Sequence, residues 1–176
     1  MAEGAALLVD RVLPAIGYRQ WVLSFEGPMA VRLGYDEALL ATVAESLARA
    51  VMQDMRRSVK ARHSVASVET LHAGVFTVVQ RLRSDPGLYV HLHGLITAGA
   101  FEERDSAVRF LPAATPTAER LTAVLAQVHK AVAAVAEDDL DLDPALAACV
   151  QLGFSGPHSC PKRDGSCSRW AGRAVA

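Results

Sequence analysis

The sequence predicts an α+β domain in which helices pack on one antiparallel sheet. The first observation is the order of local patterns, β-α-β-β-β-α, which places three strand-like segments in succession between helical ones. The second is the turn signal Ser84-Asp-Pro-Gly87, which separates two of these segments and predicts a hairpin. The third is composition: 51% of the 176 residues are hydrophobic and the net charge is −1, which is typical of a folded domain with a substantial core.

In the first half of the chain, residues 3–13 carry a short helical pattern. The segment Arg19 to Phe25 is rich in aromatic and β-branched residues and predicts a strand that Gly27-Pro28 closes. Asp36 is a suitable N-cap for a helix that extends to about residue 60. The apolar residues of that helix recur at helical spacing: Leu40, Val43, Leu47, Val51 and Met55.

In the second half, Val75 to Arg81 and Tyr89 to Thr97 predict the two strands of the hairpin. Ala107 to Leu111 predicts a further strand. Thr115-Pro116 provides an N-cap and a first-turn proline for a last helix, whose apolar stripe contains Leu121, Val124, Leu125, Val128 and Val132.

The amino-acid composition of the chain changes near its C-terminus. We expect residues 1–152 to form one domain and residues 153–176, dense in Gly, Ser, Pro and Arg, to form a disordered tail. The three cysteines are too few and too closely spaced for a disulfide framework, which favours the cytoplasm. The N-terminal residues resemble no signal peptide, and no apolar run is long enough for a membrane segment.

The most informative motif is His91-Leu92-His93 on the predicted second strand of the hairpin. Strand side chains alternate, so both imidazoles lie on one face. A tight turn would place Gln80 opposite His91 and Val78 opposite His93, so the Gln80 amide oxygen becomes a candidate third ligand. A His-His-Gln set with open positions suits Mg²⁺ or Mn²⁺. The alternative is that the histidines line a partly exposed sheet face and bind nothing.

Several segments together resemble the two-tyrosine HUH transposases of rolling-circle insertion sequences. The similarity covers roughly residues 1–152 in order and spacing. The segments that carry it are Arg11-Val-Leu-Pro14, Tyr18-Arg-Gln-Trp-Val-Leu-Ser-Phe25, Val75-Phe-Thr-Val-Val-Gln-Arg81, Tyr89-Val-His-Leu-His93 and Gly99-Ala-Phe101.

The resemblance implies an HUH-nuclease-like core and an activity in DNA transposition and recombination. By motif, His91 and His93 with Gln80 would hold a divalent metal that polarises a phosphate of single-stranded or hairpin DNA, and a tyrosine would attack to form a 5′-phosphotyrosine. Arg81 and Arg83 flank the predicted metal hairpin. Together with Arg19 they are the candidate DNA-contacting residues.

The chain departs from the family in its tyrosines. The family's nucleophiles follow the histidine strand, whereas the tyrosines here are Tyr18, Tyr35 and Tyr89. No catalytic residue is therefore assigned. We expect a truncated, catalytically impaired transposase whose residues 153–176 result from a frame shift. The alternatives are a DNA-binding remnant or regulator without nuclease activity, and a remnant that binds neither metal nor DNA.

Overall fold

The structure is a computed structural model that describes residues 8–25, 27–82, 88–104, 107–134 and 151–154. The described part begins with a π-helical turn at Leu8–Val12, within the predicted helical segment 3–13. The strands are β1 (Tyr18–Ser24), β2 (Leu71–His72), β3 (Val75–Leu82), β4 (Leu88–Thr97), β5 (Gly99–Arg104), β6 (Ala107–Pro112) and β7 (Gln151–Phe154). The α-helices are α1 (Gly27–Tyr35), α2 (Glu37–His63) and α3 (Ala118–Ala133).

The first sheet contains the predicted hairpin and has the strand order β3-β4-β1-β7. Strands β3 and β4 pair antiparallel with Gln80 opposite His91 and Val78 opposite His93, so the predicted register is confirmed. On its other side β4 pairs with β1, where Val22 lies opposite His93 and Ser24 opposite His91. The histidine strand therefore lies inside the sheet, between two partners.

The α+β class is confirmed, but the expectation of a single sheet is wrong. A second antiparallel sheet has the order β2-β5-β6. The chain leaves the first sheet at Ala98, whose N–H donates to the Gly17 carbonyl at 2.7 Å, and it enters β5 at Gly99. A Cβ on Gly99 would lie 2.1 Å from the Leu111 carbonyl oxygen, so only glycine permits this approach of β5 to β6.

Helix α1 was not predicted, because Gly27-Pro28 was interpreted only as the end of a strand. Proline is also well tolerated in the first turn of a helix, where its missing N–H has no intrahelical acceptor. The helix buries Met29, Ala30 and Leu33, and this packing stabilises it.

The caps of the two longer helices follow the same chemistry but differ in how well they were predicted. Asp36 caps α2 as expected, and its carboxylate accepts from the Leu39 N–H at 2.9 Å. Helix α3 begins two residues later than expected, because Thr117 rather than Thr115 is its N-cap. The Thr117 hydroxyl accepts from the Arg120 N–H, and the extended backbone of Thr117 marks it as the last residue before the helix.

The core lies between the helices and one face of the first sheet. Buried side chains from that face and from the helices form a single cluster, which includes Trp21, Leu23, Val90, Leu92 and Ile96 from the strands and Met29, Val43, Val51 and Met55 from the helices. The opposite face of the sheet remains partly exposed. In the described part of the chain, no helix has the length and apolarity needed to cross a membrane. The predicted tail lies outside the described residues except for Gly153 and Phe154, which belong to β7.

Candidate metal and DNA site

Strand β4 separates the two histidines from the core. Val90 and Leu92 are fully buried against the helices, whereas His91 and His93 are only half-buried on the other face. The alternation of a pleated strand causes this division, as the sequence predicts. The prediction that both imidazoles share one face is therefore confirmed.

The two imidazoles lie side by side. Their ring centroids are 4.7 Å apart and the ring planes meet at 69°. An imidazole centre lies roughly 3 Å from a cation bound to its nitrogen, so two rings in adjacent octahedral positions have centres roughly 4.5 Å apart. The spacing of His91 and His93 is within the range that two ligands of one cation require.

Gln80 is the nearest candidate for a third ligand on β3. It is exposed and directly opposite His91, which brings its side chain to the histidine face. Among the residues that the structure describes, no cluster of three or more His, Cys, Asp or Glu side chains is arranged to hold a metal. A cation at His91 and His93 would therefore take its further ligands from an amide oxygen, from water or from a substrate oxygen.

A second amide, that of Gln20, contacts the pair from β1. Gln20 Nε2 lies 2.9 Å from His93 Nδ1. Sequence reasoning missed this residue, because β1 and β4 are more than seventy positions apart and nothing local indicates that they pair. The available signal was parity: Gln20 alternates in β1 with the apolar residues Trp21 and Leu23, which indicates that it lies on the opposite face from Trp21.

The environment of His93 disfavours its protonated form. Burial is the larger cause and the neighbouring His91 the second, and both lower the pKa of His93 below its usual value. A neutral imidazole is the form that binds a metal, so this shift favours coordination near neutral pH.

The three arginines predicted to contact DNA differ in where they lie in the structure. Arg81 is exposed beside Gln80, at an irregularity in the β3–β4 pairing. Arg83 lies outside the described residues. Arg19 does not fit the expectation: it is only 6% exposed and lies on the core side of β1. Its guanidinium donates to the carbonyls of Ala113 and Ala114 at 2.9 and 3.0 Å, which connects β1 to the segment before α3.

No tyrosine side chain in the described part of the chain lies beside the histidines. The Tyr18 hydroxyl donates to the Pro14 carbonyl at 2.7 Å, and Tyr18 pairs with Thr97, four residues along β4 from His93. Tyr35 is exposed at the end of α1, in the helical layer. The side chain of Tyr89 lies outside the described residues.

Apolar side chains extend the histidine face along the sheet. Phe76 and Val78 of β3 are 44% and 47% exposed, and Val78 lies directly opposite His93. Beyond Leu95 the face continues into a cavity of about 400 Å³ whose lining includes Tyr18, Phe76 and Phe101. Aromatic rings at such a surface are suited to stacking on unpaired bases.

No family model, curated protein or solved structure matches this chain.

Proposed function

We propose that the exposed face of the first sheet binds one divalent cation, Mg²⁺ or Mn²⁺, and that the protein is a transposase-type protein that acts on single-stranded or hairpin DNA. The observation that carries the proposal is the juxtaposition of His91 and His93 at 4.7 Å, with Gln80 in register opposite His91. Imidazole nitrogens and an amide oxygen are a suitable ligand set for such a cation when water completes the coordination.

The proposal includes an HUH-nuclease-like core. Its support is the position of the histidines on an inner strand, with an amide-bearing strand on either side. The helices pack on the other face of the same sheet. The histidine face has exposed side chains, such as Phe76 and Val78, and is accessible to an extended polymer. A role on DNA is also in keeping with the cytoplasmic location that the sequence predicts.

Each residue of the site has a proposed task. His91 and His93 would hold the cation through imidazole nitrogens, and Gln80 would contribute its amide oxygen. When bound, the cation supplies a positive charge that polarises a phosphate oxygen of the DNA. Arg81 offers an exposed positive charge to a neighbouring phosphate. Phe76 presents an exposed ring on which a base can stack.

A second candidate function, DNA binding without cleavage, is favoured by the positions of the tyrosines. Strand transfer needs a nucleophile that reaches the polarised phosphate. Tyr18 is hydrogen-bonded to Pro14 at the far end of the face, and Tyr35 lies in the helical layer. Tyr89 precedes His91 by two residues on the same strand and is the nearest tyrosine in sequence. A regulator that occupies DNA ends would need the cation and the open face but no nucleophile.

One assay separates these functions. The purified protein is incubated with labelled single-stranded and hairpin DNA, with Mn²⁺ or with a chelator, and both retained DNA and covalent protein–DNA adduct are measured. Metal-dependent retention with an adduct supports the transposase-type activity. Metal-dependent retention without an adduct supports the regulator.

The variants His91→Ala and His93→Ala should lose the metal-dependent retention, since each removes one of two imidazole ligands. His129→Ala is the matched control, because His129 is half-buried like the pair but lies on α3, in the helical layer. If isothermal titration shows no Mn²⁺ binding to a folded wild-type protein, the proposed cation site is wrong.

A further inference from the structure

We infer that Gln20 is a positioning residue for His93, which holds the Nδ1 side of the imidazole so that Nε2 is the nitrogen presented to a cation. The inference deepens the proposed function and rests on the cation site proposed above. Its basis is the 2.9 Å contact between Gln20 Nε2 and His93 Nδ1. When the Gln20 amide accepts from Nδ1–H through its oxygen, Nε2 is the ring nitrogen left for coordination.

The strand pairing explains how Gln20 reaches His93. Leu95 is the direct partner of Gln20 and Val22 is that of His93, so Gln20 and His93 are diagonal neighbours on one face. Diagonal positions are about 7–8 Å apart in an antiparallel pair, a span that a long side chain covers. A shorter residue at position 20 would not make the contact.

The backbone that carries Gln20 is held by a strand on either side and by the core below it. Its strand, β1, pairs with β4 on one side and with β7 on the other. The flanking residues Arg19 and Trp21 are buried on the core face, and Arg19 is also bonded to Ala113 and Ala114. Because β1 is an inner strand, the amide approaches His93 from a rigid element, which is what a positioning role requires.

The proton on His93 links the amide to cation binding. A neutral imidazole carries one proton, and when the Gln20 amide nitrogen donates to Nδ1, that proton is on Nε2. A cation can bind Nε2 only when the proton is on Nδ1 instead. The ring reaches this state by a change of tautomer, in which Nε2 loses its proton and Nδ1 gains one, so the net charge of the ring is unchanged. A half-turn of the Gln20 amide brings its Oε1 to accept from Nδ1–H, so one side chain serves both tautomers.

Two substitutions separate this role from mere packing. Gln20→Glu retains the length of the side chain but offers only acceptor oxygens, so it favours the Nδ1–H tautomer even without metal. Gln20→Leu retains the approximate size and removes the polar contact. Gln53→Leu is the matched control, because Gln53 is exposed on α2.

The first measurement uses metal-free protein. Long-range ¹⁵N–¹H correlation spectra of the His93 ring report which nitrogen carries the proton. We expect the Nε2–H tautomer in the wild type and in Gln53→Leu, the Nδ1–H tautomer in Gln20→Glu, and a mixture in Gln20→Leu. Identical His93 spectra in all four proteins would overturn the inference.

The second measurement is Mn²⁺ affinity by isothermal titration, with circular dichroism to verify folding. Loss of an outer hydrogen bond to a metal-ligating histidine typically weakens metal affinity by about 10–100-fold, which is the expected effect of Gln20→Leu. Gln20→Glu should bind Mn²⁺ at least as tightly as the wild type. A folded Gln20→Leu variant with unchanged Mn²⁺ affinity would contradict the positioning role.

The two failures are distinguishable. If the wild type binds no Mn²⁺, the proposed cation site fails, and the metal-free spectra still decide whether Gln20 controls the His93 tautomer. If the wild type binds Mn²⁺ and position 20 changes neither the spectra nor the affinity, the cation site stands and the role of Gln20 is refuted.

Discussion

Gln80 of β3 and His91 of β4 are direct partners across the antiparallel pair. Directly opposed side chains lie on the same face, with Cβ atoms about 5 Å apart. The hydrogen-bond ladder of the hairpin thereby brings an amide beside the histidine pair. A substitution at position 80 is therefore expected to change the proposed ligand set and to leave the sheet register intact.

We expect Gln80→Ala to weaken Mn²⁺ binding roughly tenfold and Gln80→Glu to strengthen it, because a carboxylate is a better ligand than an amide for a hard cation. Isothermal titration at constant pH measures both effects. Gln53→Ala, on the exposed surface of α2, is the control and should bind like the wild type. Equal Mn²⁺ affinities for all three variants would show that Gln80 does not coordinate.

The contact between α2 and α3 includes a bidentate ion pair between Arg120 and Asp54. Arg120 Nε and Nη2 lie 2.8 and 2.6 Å from the two Asp54 carboxylate oxygens, and the side chains are 26% and 15% exposed. We expect Arg120→Met to lower the free energy of unfolding by about 2–3 kcal/mol, since it leaves a partly buried carboxylate without its main partner.

Urea denaturation measures this loss, and a second pair on α2 provides its control. Arg49 and Glu45 are 4.0 Å apart and both largely exposed. Arg49→Met should change the free energy of unfolding by less than about 0.5 kcal/mol. Comparable losses for the two variants would mean that burial of the Asp54 carboxylate does not determine the cost.

Gly99 is the position where β5 approaches β6 most closely. The Cβ of an alanine there would lie 2.1 Å from Leu111 O and 2.8 Å from Pro112 Cα, both backbone atoms that cannot rotate away. We expect Gly99→Ala to destabilise the fold by about 3 kcal/mol or more. Gly74→Ala is the control, because its Cβ would make an ordinary 3.4 Å contact with Thr97. The midpoint of urea unfolding should fall for the first variant and change little for the second.

The lowered pKa of His93 makes part of the stability depend on pH. Burial, and then the neighbouring His91, disfavour the imidazolium in the folded protein. The unfolded chain therefore binds a proton more readily, near its ordinary pKa of about 6.5. The associated stability is present above that pH and is lost as the pH falls toward the folded-state pKa.

We expect the wild type to lose more stability than His93→Gln between pH 7.5 and pH 5.5, because the variant has no imidazole at that position. Urea unfolding at a series of pH values measures the difference. A ¹H–¹⁵N titration of His93 should give a midpoint below that of an unstructured histidine peptide. Parallel stability profiles for the two proteins would contradict the lowered pKa.

Local sequence signals determined much of the fold and part of the site. Period-two alternation along β4 predicted which of its residues face the core, and the register expected from the turn signal predicted that Gln80 lies opposite His91. Asp36 predicted the start of α2, because its carboxylate can accept a hydrogen bond from a first-turn N–H. These features depend on residues that are neighbours in sequence, so the sequence contains the information needed to predict them.

Only the tertiary structure decided which distant segments meet. The pairing of β1 with β4 brings Gln20 to His93, the burial of Arg19 removes a candidate DNA contact, and the turn at Ala98 divides the strands into two sheets. Each outcome is a contact between segments far apart in the chain, selected by packing of the whole core. A single sequence gives the parity of each strand, but it does not say which strands become neighbours.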